Sequence, residues 1–217
     1  MSGEHDALRP SSRRKREAIL AAAERQFLAE GYEAVTMDSI AAESEVAKQT
    51  LYRHFGSKRA LFLELVTTQT AAAGARVHAE RPRIDDRTDV RALLTERMET
   101  QLATVLAPGL LSLRRLVIGE QGRFPELAAA LYENGPGHAI DVLAGILREL
   151  DANGLLRVPE PAAAATQLNW LVMGEPVNAA MLLGEDAAPS PVEQRRHVAR
   201  ALDVFLAGHA HGDARSP

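Results

Sequence analysis

The sequence predicts an all-α protein, on three observations. Ala, Leu, Glu and Arg, which favour helices, are abundant, whereas aromatic residues make up only 4% and β-branched runs are scarce. Apolar residues recur at three- and four-residue intervals through most of the chain, the spacing of one helix face. Proline and glycine fall between these stretches, where helices start and stop. With 217 residues the chain can bury a core unaided, which suits its lack of cysteine. That lack excludes disulfides, thiolate metal sites and cysteine nucleophiles. No window approaches the roughly 18–20 uninterrupted apolar residues of a membrane span, and the first turns of the chain hold no signal-type apolar stretch. A soluble, cytoplasmic protein with no membrane partner is therefore expected.

Residues 1–12 are polar and read as a disordered arm. The basic run Arg13-Arg14-Lys15-Arg16 leads into Ile19, Leu20, Ala23, Phe27 and Leu28, a helical face that Gly31 stops as a C-cap. Thr36 predicts the N-cap of a short helix with Asp38 in its first turn and Met37, Ile40 and Ala41 inward, running to about Ser44. A second short helix, about 47–54, is anchored by Leu51 and Phe55. After Gly56-Ser57, the residues Leu61, Phe62, Leu65 and Val66 begin a long helix reaching toward Ala79, and 81–87 reads as a loop. Val90, Leu93, Leu94, Met98, Leu102 and Val105 mark the next helix, ended by Pro108-Gly109; others follow over about 110–120, 125–133 and 138–152. Two last helices are expected at about 161–183, bent or broken by Pro176 near Gly174, and at 191–207, opened by a Ser190–Glu193 capping box. This divides the chain into a head at 13–60, a helical body at 61–208 and a disordered tail at 209–217.

A net charge of −4 argues against a protein that coats nucleic acid through bulk positive charge. The distribution matters more: residues 1–60 hold 10 Lys/Arg against 9 Asp/Glu, and the remainder 15 against 20, so the acidity lies in the second part. Contact with DNA at one end is thus permitted. Two short helices joined by a tight turn behind a longer one form the unit that lays a recognition helix in the major groove. Base edges there present patterned donors and acceptors, which Gln49, Thr50 and Arg53 can meet. Lys48, Lys58, His54 and the hydroxyls of Thr36 and Tyr52 suit phosphate contacts, which position the protein without reading sequence. The 13–16 run reads equally as a cationic arm or as a solvated first turn.

From Gly31-Tyr32, through Thr36-Met37-Asp38-Ser39-Ile40-Ala41, to Thr50-Leu51-Tyr52-Arg53-His54-Phe55-Gly56-Ser57-Lys58-Arg59-Ala60-Leu61-Phe62, the chain resembles the tetracycline-repressor (TetR) family. The likeness covers roughly residues 13–62. Arg114–Glu120 with Phe124–Leu127 also resembles the AefR-like C-terminal subgroup. The resemblance implies an all-helical repressor that dimerises through its last two helices and holds a small-molecule effector, of unknown identity, in its body. It also implies that Thr36, Lys48, Gln49, Thr50, Tyr52, His54 and Lys58 face DNA. There are two departures: family members commonly carry Gly in the turn where Glu45 stands, and often a small residue at Gln49. A left-handed Glu45 would cost on the order of 1 kcal/mol, and Lys48 or Arg53 is expected to pair its charge.

In the body, Met98, Phe124, Tyr132, Trp170 and Met173 are candidates for lining an effector site, though large apolar residues at helical spacing are more often plain core. Glu120, Gln121, Asn169, Glu175 and Asn178, polar positions among apolar ones, could orient a ligand. His209 and His211 suggest no metal site, and no cofactor is implied. No phosphate loop, dinucleotide fingerprint, nucleophile elbow or HExxH motif is present, so an enzyme is not expected. The reading is a homodimeric, sequence-specific repressor that meets a palindromic operator in double-stranded DNA through paired recognition helices and leaves it on binding an effector. The alternative is a helical small-molecule binder or enzyme with a vestigial DNA-binding head.

Overall fold

Ten α-helices and two short helical turns make up the regular structure among the described residues, 10–77 and 83–209 of the computed structural model. In chain order the helices are α1 (Pro10–Ala34), α2 (Met37–Glu43), α3 (Lys48–Phe55), α4 (Lys58–Val77) and α5 (Val90–Val105), then α6 (Pro108–Gly119), α7 (Pro125–Tyr132), α8 (His138–Ala152), α9 (Pro161–Leu183) and α10 (Pro191–His209). No strand occurs among the described residues, so the all-α class holds. Residues 10–12 already belong to α1, which corrects the expected arm over 1–12 at its inner end, because Pro10 serves as a first-turn proline. Likewise His209 closes α10, and the rest of the expected tail, including His211, lies outside the described residues.

Packing gathers residues up to Gln69 with Ser112–Ala130 into one compact unit, and Thr70–Leu111 with the chain from Leu131 onward into a second. Sequence spacing places the boundary between residues 60 and 61 instead. Periodicity registers which residues share a helix face, whereas packing joins residues far apart in the chain, and 112–130 join the first unit in that way.

In the first unit, Ile19, Phe27, Ile40, Leu51, Leu61, Phe62 and Leu65 are fully buried, together with Val117 and Leu127 from the later segment. Each large apolar side chain so buried stabilises the unit by about 1.5–3 kcal/mol relative to exposure. Gly31 breaks the helical course of α1 with φ 79°, a value that glycine adopts without strain. Tyr32 follows it directly, its ring 5.2 Å from Phe62 and 4.8 Å, edge-on, from Phe124.

The second unit packs α5, α8, α9 and α10 around a single core. Leu94, Met98 and Leu102 of α5 meet Leu143, Leu147 and Leu150 of α8, Leu168, Val172 and Met173 of α9, and Val198, Leu202 and Phe205 of α10 in one buried cluster. The Ser190–Glu193 capping box opens α10 as the spacing predicts: Ser190 N donates to Glu193 Oε2 at 2.8 Å, and Glu193 N to Ser190 Oγ at 3.4 Å. Pro176 does not interrupt α9, which runs from Pro161 to Leu183 with the proline buried inside it. Proline has no N–H for the carbonyl four residues earlier, here Val172. That carbonyl instead accepts from His197 Nε2 of α10 at 2.8 Å, which repairs the gap and ties the last two helices together.

Candidate nucleic-acid interface

Helix α2 begins where Thr36 leaves the helical path with extended backbone and accepts a hydrogen bond from Ser39 N on its side-chain oxygen at 3.0 Å. Thr36 N donates to Ser39 Oγ in return, a capping box built with serine in place of glutamate. The Ser39 hydroxyl donates to Gln26 Oε1 at 2.6 Å, and Gln26 Nε2 donates to Glu43 Oε2 at 2.6 Å. Arg25 Nε completes the network on Glu43 Oε1 at 2.7 Å. Gln26, foremost, and Arg25 hold the Glu43 carboxyl below its ordinary pKa. This network, which no sequence motif announces, fixes α2 against α1.

The turn from α2 to α3 is a Schellman motif. Val46 N donates to Ala41 O at 3.1 Å and Glu45 N to Ala42 O at 3.3 Å, with Glu45 at φ 54° in the position that glycine usually fills. The expected left-handed Glu45 is therefore present. Its expected partner is not: Lys48 turns to Asp38 instead, with Nζ 2.7 Å from Oδ1.

Helix α3 buries Leu51 and Phe55 and leaves Lys48, Gln49, Tyr52 and Arg53 exposed, with Thr50 half-buried. The opposition follows from spacing: 51 and 55 lie one turn apart on the inner side, and 49, 52 and 53 fall on the outer one. Tyr52 keeps 41% of its surface in solvent, unusual for a large ring. Its face lies 6.0 Å from Lys48 Nζ, whose pKa is held above the ordinary lysine value by the hydrogen bond to Asp38. His54 is half-buried, and its Nε2 is shielded without a hydrogen-bond partner. Burial, then the positive charges of Arg53, Arg16 and Lys15, lower its pKa, so the ring favours the neutral form.

Lys58, expected at a phosphate, is already engaged within the head. Lys58 Nζ donates to the carbonyls of Tyr32 at 2.7 Å, Val35 at 2.8 Å and Glu33 at 3.3 Å, and stands 4.3 Å above the Tyr32 ring. An ammonium has three donors, and these carbonyls take them, capping the chain where α1 ends. Burial accordingly lowers the pKa of Lys58. In the basic run, Arg16 pairs with Glu64 of α4 and lies over the Phe55 ring at 5.2 Å, while Arg14 and Lys15 stay exposed.

The effector candidates divide between the two units. Glu120 and Phe124 fall in the first unit, where Phe124 packs edge-on against Tyr32 and lies beneath the guanidinium groups of Arg59 and Arg123. Arg59 pairs with Glu126 at 2.7 Å, and Arg123 pairs with Glu33. Phe124 thus serves the head's own packing. In the second unit Met98 and Met173 are buried, whereas Tyr132 and Trp170 are 55% and 45% exposed. Of the five polar candidates, Gln121, Glu175 and Asn178 are exposed and Glu120 half-buried; only Asn169 is buried. It accepts from Gln101 Nε2 at 2.9 Å, a partner that sequence spacing did not single out.

An exposed polar face on the second of two short helices, in an all-helical chain, defines a helix-turn-helix DNA-binding protein. Residues 19–65 match the family model of bacterial regulatory proteins of the tetR family, and residues 92–210 that of the AefR-like transcriptional repressor C-terminal domain. The chain belongs to the TetR family of transcriptional regulators and carries an AefR-like C-terminal domain. Among solved structures it is similar to a TetR-family transcriptional regulator from Mesorhizobium loti, with 29% identity, 93% of this chain and 99% of that one covered, and a TM-score of 0.83. It is also similar to the flavonoid-responsive regulator FrrA, with 30% identity, 94% and 99% covered and a TM-score of 0.76. A TetR-family regulator from Pseudomonas syringae shows 29% identity, 89% and 96% covered and a TM-score of 0.71. No curated protein matches the sequence.

Proposed function

We propose that this regulator is a cytoplasmic homodimer that represses transcription from a palindromic operator and leaves it when a small molecule binds the body. The observation that carries this reading is the division of α3: Leu51 and Phe55 hold it from inside, and Gln49, Tyr52 and Arg53 stand free outside. In this reading Gln49, Thr50 and Arg53 meet base edges, while Thr36, Lys48, Tyr52 and His54 meet phosphates. Lys58 acts from behind, by fixing the end of α1 against the start of α4.

Dimerisation through α9 and α10 is supported by apolar side chains left in solvent there: Leu171, Leu182 and Leu183 on α9, Val192 and Val204 on α10. Two-fold pairing would set the recognition helices one DNA turn apart, about 34–36 Å. Helix α4 passes from the first unit into the second at residues 69 and 70, and so supplies a covalent path by which an effector could shift the head. An effector with an apolar aromatic body and oxygen substituents is supported by the 30% identity to a flavonoid-responsive regulator, and Met98 and Met173 are the members of the sequence-based set best buried to meet it.

The test is footprinting of the purified protein on its own upstream intergenic DNA at physiological salt with excess competitor DNA. A protected palindrome that is lost in Gln49→Ala and Tyr52→Ala supports the reading. Sequence-blind, salt-labile binding alone would refute it.

A further inference from the structure

Two neutral amides meet in the buried core of the second unit. Gln101 of α5 is 4% exposed and Asn169 of α9 is 1% exposed, and Gln101 Nε2 donates to Asn169 Oδ1 at 2.9 Å. Asn169 Nδ2 is shielded from solvent and makes no hydrogen bond. Buried donors are nearly always paired, and one that is not calls for a reason. A purely structural clamp between α5 and α9 would be better served by two apolar side chains, which leave nothing unmet.

We propose that the Gln101–Asn169 pair is the polar anchor of the effector site, and that Asn169 Nδ2 donates to a carbonyl oxygen on an otherwise apolar ligand. The proposal rests on the reading of the protein as effector-responsive and adds the residues and the ligand chemistry. The surroundings set that chemistry. Met98 and Met173 flank the pair in sequence and belong to the same buried cluster, and unbranched thioethers re-pack around an inserted ring more readily than branched side chains do. Arg97, one turn before Gln101 on the inner face of α5, is buried and carries a positive charge, which disfavours a cationic ligand. The Asn169 donor left over in an apolar core selects an acceptor. The carbonyl completes the amide's bonding, and the apolar body takes the place of core contacts.

The experiment compares two probes of the same ring skeleton on the full-length protein by equilibrium dialysis: flavone, which carries a ring carbonyl, and flavan, which lacks it. Wild type is expected to bind flavone at least tenfold more tightly than flavan, and N169L to bind the two within twofold of each other. Without ligand, the double variant Q101M/N169L is expected to melt no lower than wild type, since both unmet and met polar groups are gone; a structural clamp would lower its melting temperature. Should N169L fail to fold, Q101M/N169L removes the same donor and leaves no unmet partner, and must lose the preference for flavone.

Equal binding of the two probes by wild type, binding of neither, or a preference that survives in N169L or Q101M/N169L overturns the proposal. Operator binding is measured separately on the ligand-free proteins. A flavone preference that depends on Asn169 in a protein that protects no operator would refute the regulator reading and leave the site standing. Operator binding with no flavone preference would do the reverse.

Discussion

The two compact units solve opposite problems with the same helices. The first keeps polar side chains outward on α3 and braces them from behind with a dense set of charged contacts: Lys58 on three carbonyls, Glu43 between Arg25 and Gln26, Arg16 on Glu64. The second gathers apolar side chains of four helices into one core and leaves others outside on its last two helices. The contrast teaches where each kind of residue informs on function. Under the proposed function, exposed polar groups of the head are readers and enclosed ones braces, while in the body exposed apolar groups form a seam and the enclosed Asn169 meets the ligand.

The largest effect should come from charging the seam. Leu182 is 81% exposed and Leu183 78%, so acidic residues there cost an isolated chain almost nothing. Buried without partners in a dimer, two carboxylates would cost about 3 kcal/mol or more, a loss of over a hundredfold in association. Leu182→Asp/Leu183→Asp is therefore expected to sediment as a folded monomer with weakened operator binding. A dimer of unchanged stability would remove α9 from the seam and erase this half of the contrast.

Next is the brace. Lys58→Met keeps the aliphatic stem but strips three carbonyls of their donor, and the loss of a charged hydrogen-bonding group predicts about 2 kcal/mol of lost stability. The slope of log affinity against log salt should stay as in wild type. A slope lower by about one phosphate contact, with an unchanged melting temperature, would instead make Lys58 a DNA ligand, as its place in the motif first suggests.

The repair of α9 predicts a coupling. His197→Ala should destabilise the body by about 1 kcal/mol, because the Val172 carbonyl loses its donor. In a Pro176→Ala background the helix supplies its own N–H, and the same substitution should cost measurably less. Equal costs in the two backgrounds, read by chemical denaturation, would show that the bond does not compensate the proline.

Of the fold, helix count, order and caps were legible because local rules govern them: Thr36 and Ser190 cap, Gly31 breaks, Pro191 starts. The head was legible further, since the string from Thr50 to Phe62 ties spacing to role. What stayed hidden was long-range. Lys58 reads as a free cation in sequence, and only folding brings Tyr32, Glu33 and Val35 around it. Phe124 reads as pocket lining and proves to be a packing partner of Tyr32, 92 residues away in the chain. Asn169 was one of five equivalent polar positions until burial separated it from the rest. Apolar spacing says that a residue faces inward and is silent on what it will face.

His54 gives the head a pH dependence. Its pKa lies below the ordinary histidine value, foremost through burial and then through Arg53 and Arg16. Above about pH 6.5 it is neutral both folded and unfolded and costs nothing. As the pH falls through that value the unfolded chain takes up the proton first, so stability is lost until the folded pKa is passed. His54→Gln should flatten this part of the curve below about pH 6.5. If wild type and variant fall in parallel, His54 is charged in the folded head.

The smallest effect tests whether the reading helix is strained for function or by default. Glu45 adopts φ 54° at the one position of the turn where glycine is free of strain, and its carboxylate has no ion pair among the described residues. Glu45→Gly should raise stability by about 0.5–1 kcal/mol, the left-handed penalty less the entropy that glycine adds to the unfolded chain. Glu45→Gln keeps the strain and removes only the charge. If the charge tunes affinity, both variants bind operator more tightly, by a similar few-fold factor that shrinks at high salt, and only the glycine variant melts higher. If E45Q binds as wild type does while E45G gains in both respects, the conformation of the turn, and not its charge, limits how well α3 is presented.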